Sequence, residues 1–228
     1  MKPRFIVLEG IDGAGKTTQT KLLCEALGAI GVSCVPQSEP TGSGYGVRIR
    51  RALSGDEQYR TDAEGLARLF TLDREAHSAE IVKYLDSGIS VVCDRYYYST
   101  FAYQGTEVSF DAIAKLSFTD RIRQPDICVF LDMDPEKGFE RIGARGGGRE
   151  IYEDPGTLRN VRGKFAAAFD YIASAPGRNE HIVTVDALGT EDEVADRVFA
   201  AVAPLFGEKE AEETDLADET AAGDVSGK

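Results

Sequence analysis

The chain has 228 residues, 42% of them hydrophobic and 29% charged, which suits one domain with an ample core and excludes a disordered or fibrous chain. Thirty-nine acids against 26 bases leave a formal net charge of −13, so neither a nucleic-acid backbone nor an anionic membrane surface attracts it non-specifically, and any anionic ligand must be held by local groups. No apolar run approaches the roughly 20 residues that span a bilayer. The N-terminal run Phe5, Ile6, Val7, Leu8 stops at Glu9, too short for an export signal, so a cytoplasmic chain is expected. Cys24, Cys34, Cys93 and Cys128 are widely spaced with no Cys-x-x-Cys pair and read as reduced filler residues.

Phe5-Ile-Val-Leu-Glu9 is β-rich and has no period, the pattern of a strand buried on both faces. From Thr17 the apolar positions Leu22, Leu23, Ala26, Leu27 and Ile30 recur at three and four, which predicts an amphipathic helix ending near Gly31. Val32 to Gln37 predicts a second strand. Residues 39–46, rich in turn-formers, predict a loop, followed by a short helix from Val47 to Leu53. Residues 61–87 predict one long helix, and Ser90–Asp94 and Ile127–Asp132 two more buried strands, each closing on an aspartate. A helix, a glycine-rich segment, a further helix, a strand over His181–Val185 and a last helix over Glu191–Phe206 complete the body.

Strands alternating with helices imply crossovers and a parallel sheet of about five strands with helices on both faces, an α/β three-layer sandwich. Ligands of such sheets bind at the carboxyl ends of the strands. Residues 208–228 carry eight acids and two bases and no large apolar residue beyond Leu216 and Val225, so a domain over 1–207 and a disordered acidic tail over 208–228 are expected.

Gly10-Ile-Asp-Gly-Ala-Gly-Lys-Thr17 fits G-x-x-x-x-G-K-[ST] between a predicted strand and a predicted helix, the context that makes this a phosphate-binding loop. Its glycines let successive N–H groups point inward, and the helix that follows adds its positive end. A donor polyphosphate is therefore expected on Gly10, Ile11, Asp12, Gly13, Ala14, Gly15, Lys16, Thr17 and Thr18. Lys16 would bridge the β and γ phosphates, and the Thr17 hydroxyl would bind Mg2+. No N-K-x-D guanine reader occurs. With one such loop in a chain of this size, a small-molecule kinase leads over an idle nucleotide-binding or switch protein.

Further motifs follow in order. Glu39-Pro40-Thr41 precedes Gly46, Arg48 and Arg50; Leu69-Phe70 stands with Asp73-Arg74 and His77; Pro125-Asp126, Leu131-Asp132, Pro135-Glu136 and Arg141 come later. The most specific is Asp94-Arg95-Tyr96-x-x-Ser99-x-x-Ala102-Tyr103-Gln104. With Asp12 inside the loop, these residues make the chain resemble the thymidylate kinase family from Phe5 to about Val194. That resemblance implies a P-loop NTPase-type fold, transfer of the γ-phosphoryl group of ATP to dTMP, Mg2+ on Thr17 and Asp94, and a homodimer.

Phe70 and Arg74, four apart on the long helix, share a face, and an aromatic plate beside a guanidinium suits a nucleobase; the pattern alone also fits a core Phe70 and a surface Arg74. By resemblance, Phe70 stacks on thymine and Arg74 bonds its O4, Tyr103 crowds the sugar 2′ position, Asp12 accepts from the 3′-hydroxyl, and Arg95 grips the acceptor phosphate. Glu39, Ser99, Thr100 and Gln104 complete the substrate set. The arginine that commonly precedes the Glu-Pro pair is replaced by Ser38, which leaves Arg48 as the expected source of that phosphate contact.

Arg141, Arg145 and Arg149 recur every four residues around Gly146-Gly147-Gly148. Three consecutive glycines disfavour a resting helix by roughly 1 kcal/mol each relative to alanine, so residues 142–153 are expected to form a mobile lid. The phosphate loop has no arginine of its own, and the resemblance is to members whose lid supplies the catalytic arginine: Arg149 or Arg145 on the transferred group, with Arg141 on ATP.

Overall fold

The computed structural model describes residues 1–144 and 154–207. Five strands, β1 (Phe5–Glu9), β2 (Cys34–Ser38), β3 (Ser90–Asp94), β4 (Ile127–Asp132) and β5 (Ile182–Asp186), form one sheet in the order β2-β3-β1-β4-β5. Every neighbouring pair is parallel, with Leu8 opposite Asp94 and Leu8 opposite Val129. All residues of β1 and β3 are buried, as strands covered on both faces must be.

The principal helices are α1 (Lys16–Ala29), α2 (Gly44–Leu53), α3 (Ala63–Asp86), α4 (Tyr97–Tyr103), α5 (Phe110–Ser117), α6 (Pro135–Ala144), α7 (Pro155–Ser174) and α8 (Glu191–Val202), followed by a last turn, α9 (Pro204–Gly207). Helices α1 and α8 pack together, while α3, α4, α5 and α7 form a second group. The chain leaves β1 for β2, two places toward one edge, and leaves β3 for β4, two places toward the other. A crevice therefore opens between the carboxyl ends of β1 and β3, where the phosphate loop and Asp94-Arg95 stand.

Three differences from the sequence pattern have local causes. Helix α2 starts at Gly44, not Val47, because the Ser43 side chain caps it by accepting from the Gly46 N–H at 3.1 Å. The last helix stops at Val202 and a new turn begins at Pro204, which lacks the N–H that would continue it. Helix α4 shows no period in sequence because all seven of its residues are buried, leaving no polar face for contrast. The Gly146 triplet and the acidic tail from residue 208 lie outside the described residues.

Helix α2 is held against α3 through the turn before it. The Asp73 carboxylate accepts from the Thr41 N–H at 2.7 Å, the Thr41 hydroxyl at 2.6 Å and the Ser43 hydroxyl at 2.5 Å. A Cβ at Gly46 would fall 1.9 Å from the Thr41 carbonyl oxygen, whereas one at Gly44 would meet nothing within 4 Å. Gly46→Ala should therefore lower the unfolding free energy by about 2 kcal/mol in urea titration, as overpacking typically does, while Gly44→Ala leaves it within about 0.5 kcal/mol. Equal effects from both would mean that the turn yields freely.

Candidate active site

The loop between β1 and α1 closes around its own lysine. The Lys16 Nζ donates to the Gly10 and Ile11 carbonyls at 3.0 and 2.8 Å, using two of its three donors. Burial first, and Arg95 second, push the ammonium down to about 8, and an anion placed beside it would favour the charged form. Gly13 has φ +83°, and a Cβ there would lie 2.2 Å from the Gly138 carbonyl oxygen on α6; the loop is seated on α6 through a position only glycine fits. A cavity of about 720 Å3 lies along residues 12–19 of the loop and α1, with Asp94, Arg95, Arg141 and residues 189–191 and Val194 at its edge. Gly10 and Ile11 do not line it; their carbonyls hold Lys16 instead.

At the end of β3, Asp94 accepts a 2.6 Å hydrogen bond from the Thr17 hydroxyl through Oδ2. Its Oδ1 is buried and has no hydrogen-bond partner among the described residues. An unsatisfied buried carboxylate oxygen beside a hydroxyl is a hard oxygen donor set, and Thr17 and Asp94 thus fit a magnesium ion.

Arg95 has φ 71°, a left-handed backbone that costs a non-glycine residue about 1–2 kcal/mol. Sequence reasoning missed what holds it there. Glu9, at the end of β1 and fully buried, accepts from the Tyr96 N–H at 2.7 Å, the Ser99 N–H at 3.1 Å and the Ser99 hydroxyl at 2.7 Å. Burial raises the Glu9 carboxyl above its usual value, opposed by the Arg95 charge, the Ser99 hydroxyl and the Tyr96 N–H. The Arg95 side chain then runs to Ser99 at 3.1 Å and to the Asp12 carboxylate, whose other oxygen accepts from the Tyr103 hydroxyl at 2.8 Å. Burial opposes the Arg95 charge, but Asp12 first, then Tyr103, Asp94 and Glu9, hold it well above its ordinary value.

A second cavity, of about 230 Å3, collects Asp12, Glu39, Phe70, Arg74, Arg95, Ser99, Thr100, Tyr103 and Gln104 with Pro40, Arg50, Leu53 and Tyr96. Arg74 is not a surface charge: it is 1% exposed, donates to Glu39 at 2.8 Å and to the Thr100 hydroxyl at 3.3 Å, and lies 5.1 Å over the Tyr96 ring. His77 Nδ1 holds the other Glu39 oxygen at 3.0 Å. Asp12 and Arg95 border both cavities.

Arg48 is exposed and lines neither cavity, while Arg50 lines the second one and donates to the Pro40 and Thr41 carbonyls. Residues two apart on a helix point about 200° away from each other, so when Arg50 lines the second cavity Arg48 faces away from it. The loop after β5 was also missed, although Thr190 and Glu193 form a capping box whose spacing stands in the sequence. Arg145 and Arg149 lie outside the described residues.

Glu9→Gln keeps the size of the side chain but offers an NH2 where donors point. It should lower the unfolding free energy by about 1–3 kcal/mol in urea titration, against less than about 0.5 kcal/mol for Glu64→Gln on the exposed face of α3. A Glu9→Gln protein as stable as its parent would mean that the carboxylate does not secure the Arg95 turn.

The sequence profile described as thymidylate kinase matches residues 8–198. A probable thymidylate kinase of Methanococcus aeolicus is 40% identical over 163 residues, covering 71% of this chain and 77% of that protein. The thymidylate kinase of Desulfosudis oleivorans is 34% identical over 205 residues, covering 87% and 95%, and that of Jannaschia sp. 36% identical over 215 residues, covering 91% and 100%. A profile match over residues 8–198, with relatives at 34% and 36% identity that this chain covers almost end to end, shows that the chain belongs to the thymidylate kinase family.

Proposed function

We propose that the protein transfers the γ-phosphoryl group of ATP to the 5′-phosphate of dTMP, yielding ADP and dTDP, as a cytoplasmic homodimer. The observation that carries this is the meeting of a phosphate-loop cavity and a base-sized cavity at Asp12 and Arg95. ATP lies along the loop, with its phosphates on the backbone N–H groups and Lys16. In the second cavity Phe70 provides the plate for thymine. Arg74, fixed by Glu39 and Thr100, turns a remaining N–H toward the base O4, with Thr100 and Gln104 beside it. Tyr103, fixed on Asp12, stands against the sugar, where an added 2′-hydroxyl would clash.

Little covalent chemistry falls to such a site; positioning and charge carry the rate. Arg95 sits at the junction and grips the acceptor phosphate through the fork that Ser99 and Asp12 orient. Thr17 and Asp94 would hold Mg2+, which when bound draws charge off the donor phosphates. The acceptor oxygen then attacks the γ-phosphorus in line, and the ADP oxygen leaves toward Lys16.

Residues 142–144 of the expected lid form the end of α6 and the others lie outside the described residues; with Arg141 at the rim of the donor cavity, the segment that follows it is read as the lid. In this reading Arg145 and Arg149 bring charge to the transferred group, within a catalytic domain over 1–207 followed by the tail. For the homodimer, α3 exposes Leu72, Ala76 and Ala79, spaced four and three, and α2 exposes Tyr45 and Val47. No helix among the described residues is long and apolar enough to cross a membrane.

Chromatographic measurement of products with a panel of nucleoside monophosphates tests the reading. dTMP should give dTDP and ADP one to one and exceed the other acceptors by at least about tenfold in kcat/KM, a margin that hydrogen-bonded base recognition readily reaches; ADP without dTDP would overturn it. Arg50→Ala should raise the KM for dTMP by on the order of tenfold and Arg48→Ala by less than about twofold, the reverse ranking restoring Arg48. Arg149→Ala should cut kcat by on the order of a thousandfold with little change in either KM, as expected of a charge that acts in the transition state. Near-normal kcat in both Arg149→Ala and Arg145→Ala, with a raised KM for ATP, would make these arginines binding groups.

A further inference from the structure

The four cysteines fall into two unlike pairs. Cys93 and Cys128 are wholly buried in β3 and β4. Cys24 and Cys34 are only half-buried, and their Sγ atoms lie 2.6 Å apart. Cys24 stands on α1, two turns after Thr17, and Cys34 opens β2, the edge strand that α1 packs along. A short connection, residues 30–33, joins the two elements, so few degrees of freedom separate the sulfurs.

Two thiols this close stand about half an ångström from the roughly 2.05 Å of a disulfide bond, a gap that side-chain rotation closes without moving the backbone far. The hydrogen bond to Cys24, and then burial, hold the Cys34 thiol above its ordinary value, and either sulfur is placed to be captured by the other once one of them is oxidised. Neither thiol lines the donor or the acceptor cavity.

We propose that Cys24 and Cys34 form a reversible oxidation site for small peroxides, and that the resulting bridge clips α1 to β2 and stabilises the fold without stopping turnover. With hydrogen peroxide, one of the two sulfurs attacks one oxygen, the O–O bond breaks, and the departing hydroxide takes that thiol's proton to leave as water, giving a sulfenic acid. The other sulfur then attacks the oxidised one, the S–O bond breaks, and a second water leaves with the remaining thiol proton. Two thiols thus give two electrons and two protons to one peroxide, and one disulfide and two waters result. The bridge closes a loop of about ten residues in the unfolded chain and restricts that state. Because the sulfurs already touch, Lys16 and Thr17, two turns away, keep their places.

The test treats the full-length protein with hydrogen peroxide near stoichiometry, removes the excess with catalase, and maps peptides without reduction. The expected result is a peptide pair linked through Cys24 and Cys34 that dithiothreitol releases, with Cys93 and Cys128 remaining as thiols. The linked form should melt on the order of 5 °C higher and keep kcat for dTMP within about twofold. Cys24→Ser and Cys34→Ser, whose reduced melting temperatures report whether they fold, should give no linked peptide and no gain on oxidation. The proposal is overturned if the parent protein yields sulfinic acids on either cysteine in place of the link. It is equally overturned if the linked form melts no higher, or if linking cuts kcat tenfold or more.

Discussion

A buried carboxylate at the end of the central strand is the constraint on which the site depends. Glu9 is wholly enclosed, yet it gathers three donors from Tyr96 and Ser99, and an enclosed carboxylate persists only with such a set. Through these bonds β1 fixes the chain that follows β3, keeping Arg95 in a backbone conformation that it would otherwise leave. The phosphate loop starts one residue after Glu9. One side chain thus sets the phosphate loop and Arg95 relative to each other.

The charges of the site are then built outward in pairs. Asp12 holds Arg95 and Tyr103, Glu39 holds Arg74 and His77, and Asp73 holds the turn of Thr41 and Ser43. Removing one partner of a pair as buried as Glu39 and Arg74 typically costs about 3–5 kcal/mol, because the other is stranded. In a chain of net charge −13, Asp12 and Glu39 are each met by an arginine that lines the second cavity, so the charge there is balanced locally. Lys16 shows the same economy, since its carbonyl partners orient it while burial lowers its hold on a proton.

How much of this stood in the sequence depends on how local each signal is. The phosphate loop and the Asp94-Arg95-Tyr96 run are contiguous, and their strand-end context follows from apolar runs, so both were legible along with the parallel sheet. Phe70 and Arg74 were legible as a pair because four residues on a helix share a face. Arg74 as a buried ion was not, since its partner Glu39 is 35 positions away. Which of Arg48 and Arg50 faces the second cavity depends on the helix phase, which Ser43 and Gly46 fix through contacts with Asp73 and Thr41. The Glu9 clamp spans 87 positions to Tyr96 and reads in sequence as the polar end of an apolar run. Likewise the spacing of Cys24 and Cys34 matches no thiol motif, and only the packing of α1 on β2 brings their sulfurs together.

Two cavities meet at Asp12 and Arg95, an arrangement that would let one phosphoryl group pass between their occupants. Inhibition by a single molecule in which adenosine and thymidine are joined through a chain of phosphates tests this most directly. It should compete with both ATP and dTMP, and should bind more tightly than the two separate nucleotides because one association replaces two. Competition with ATP alone, with dTMP binding undisturbed, would contradict the claim and place the acceptor elsewhere.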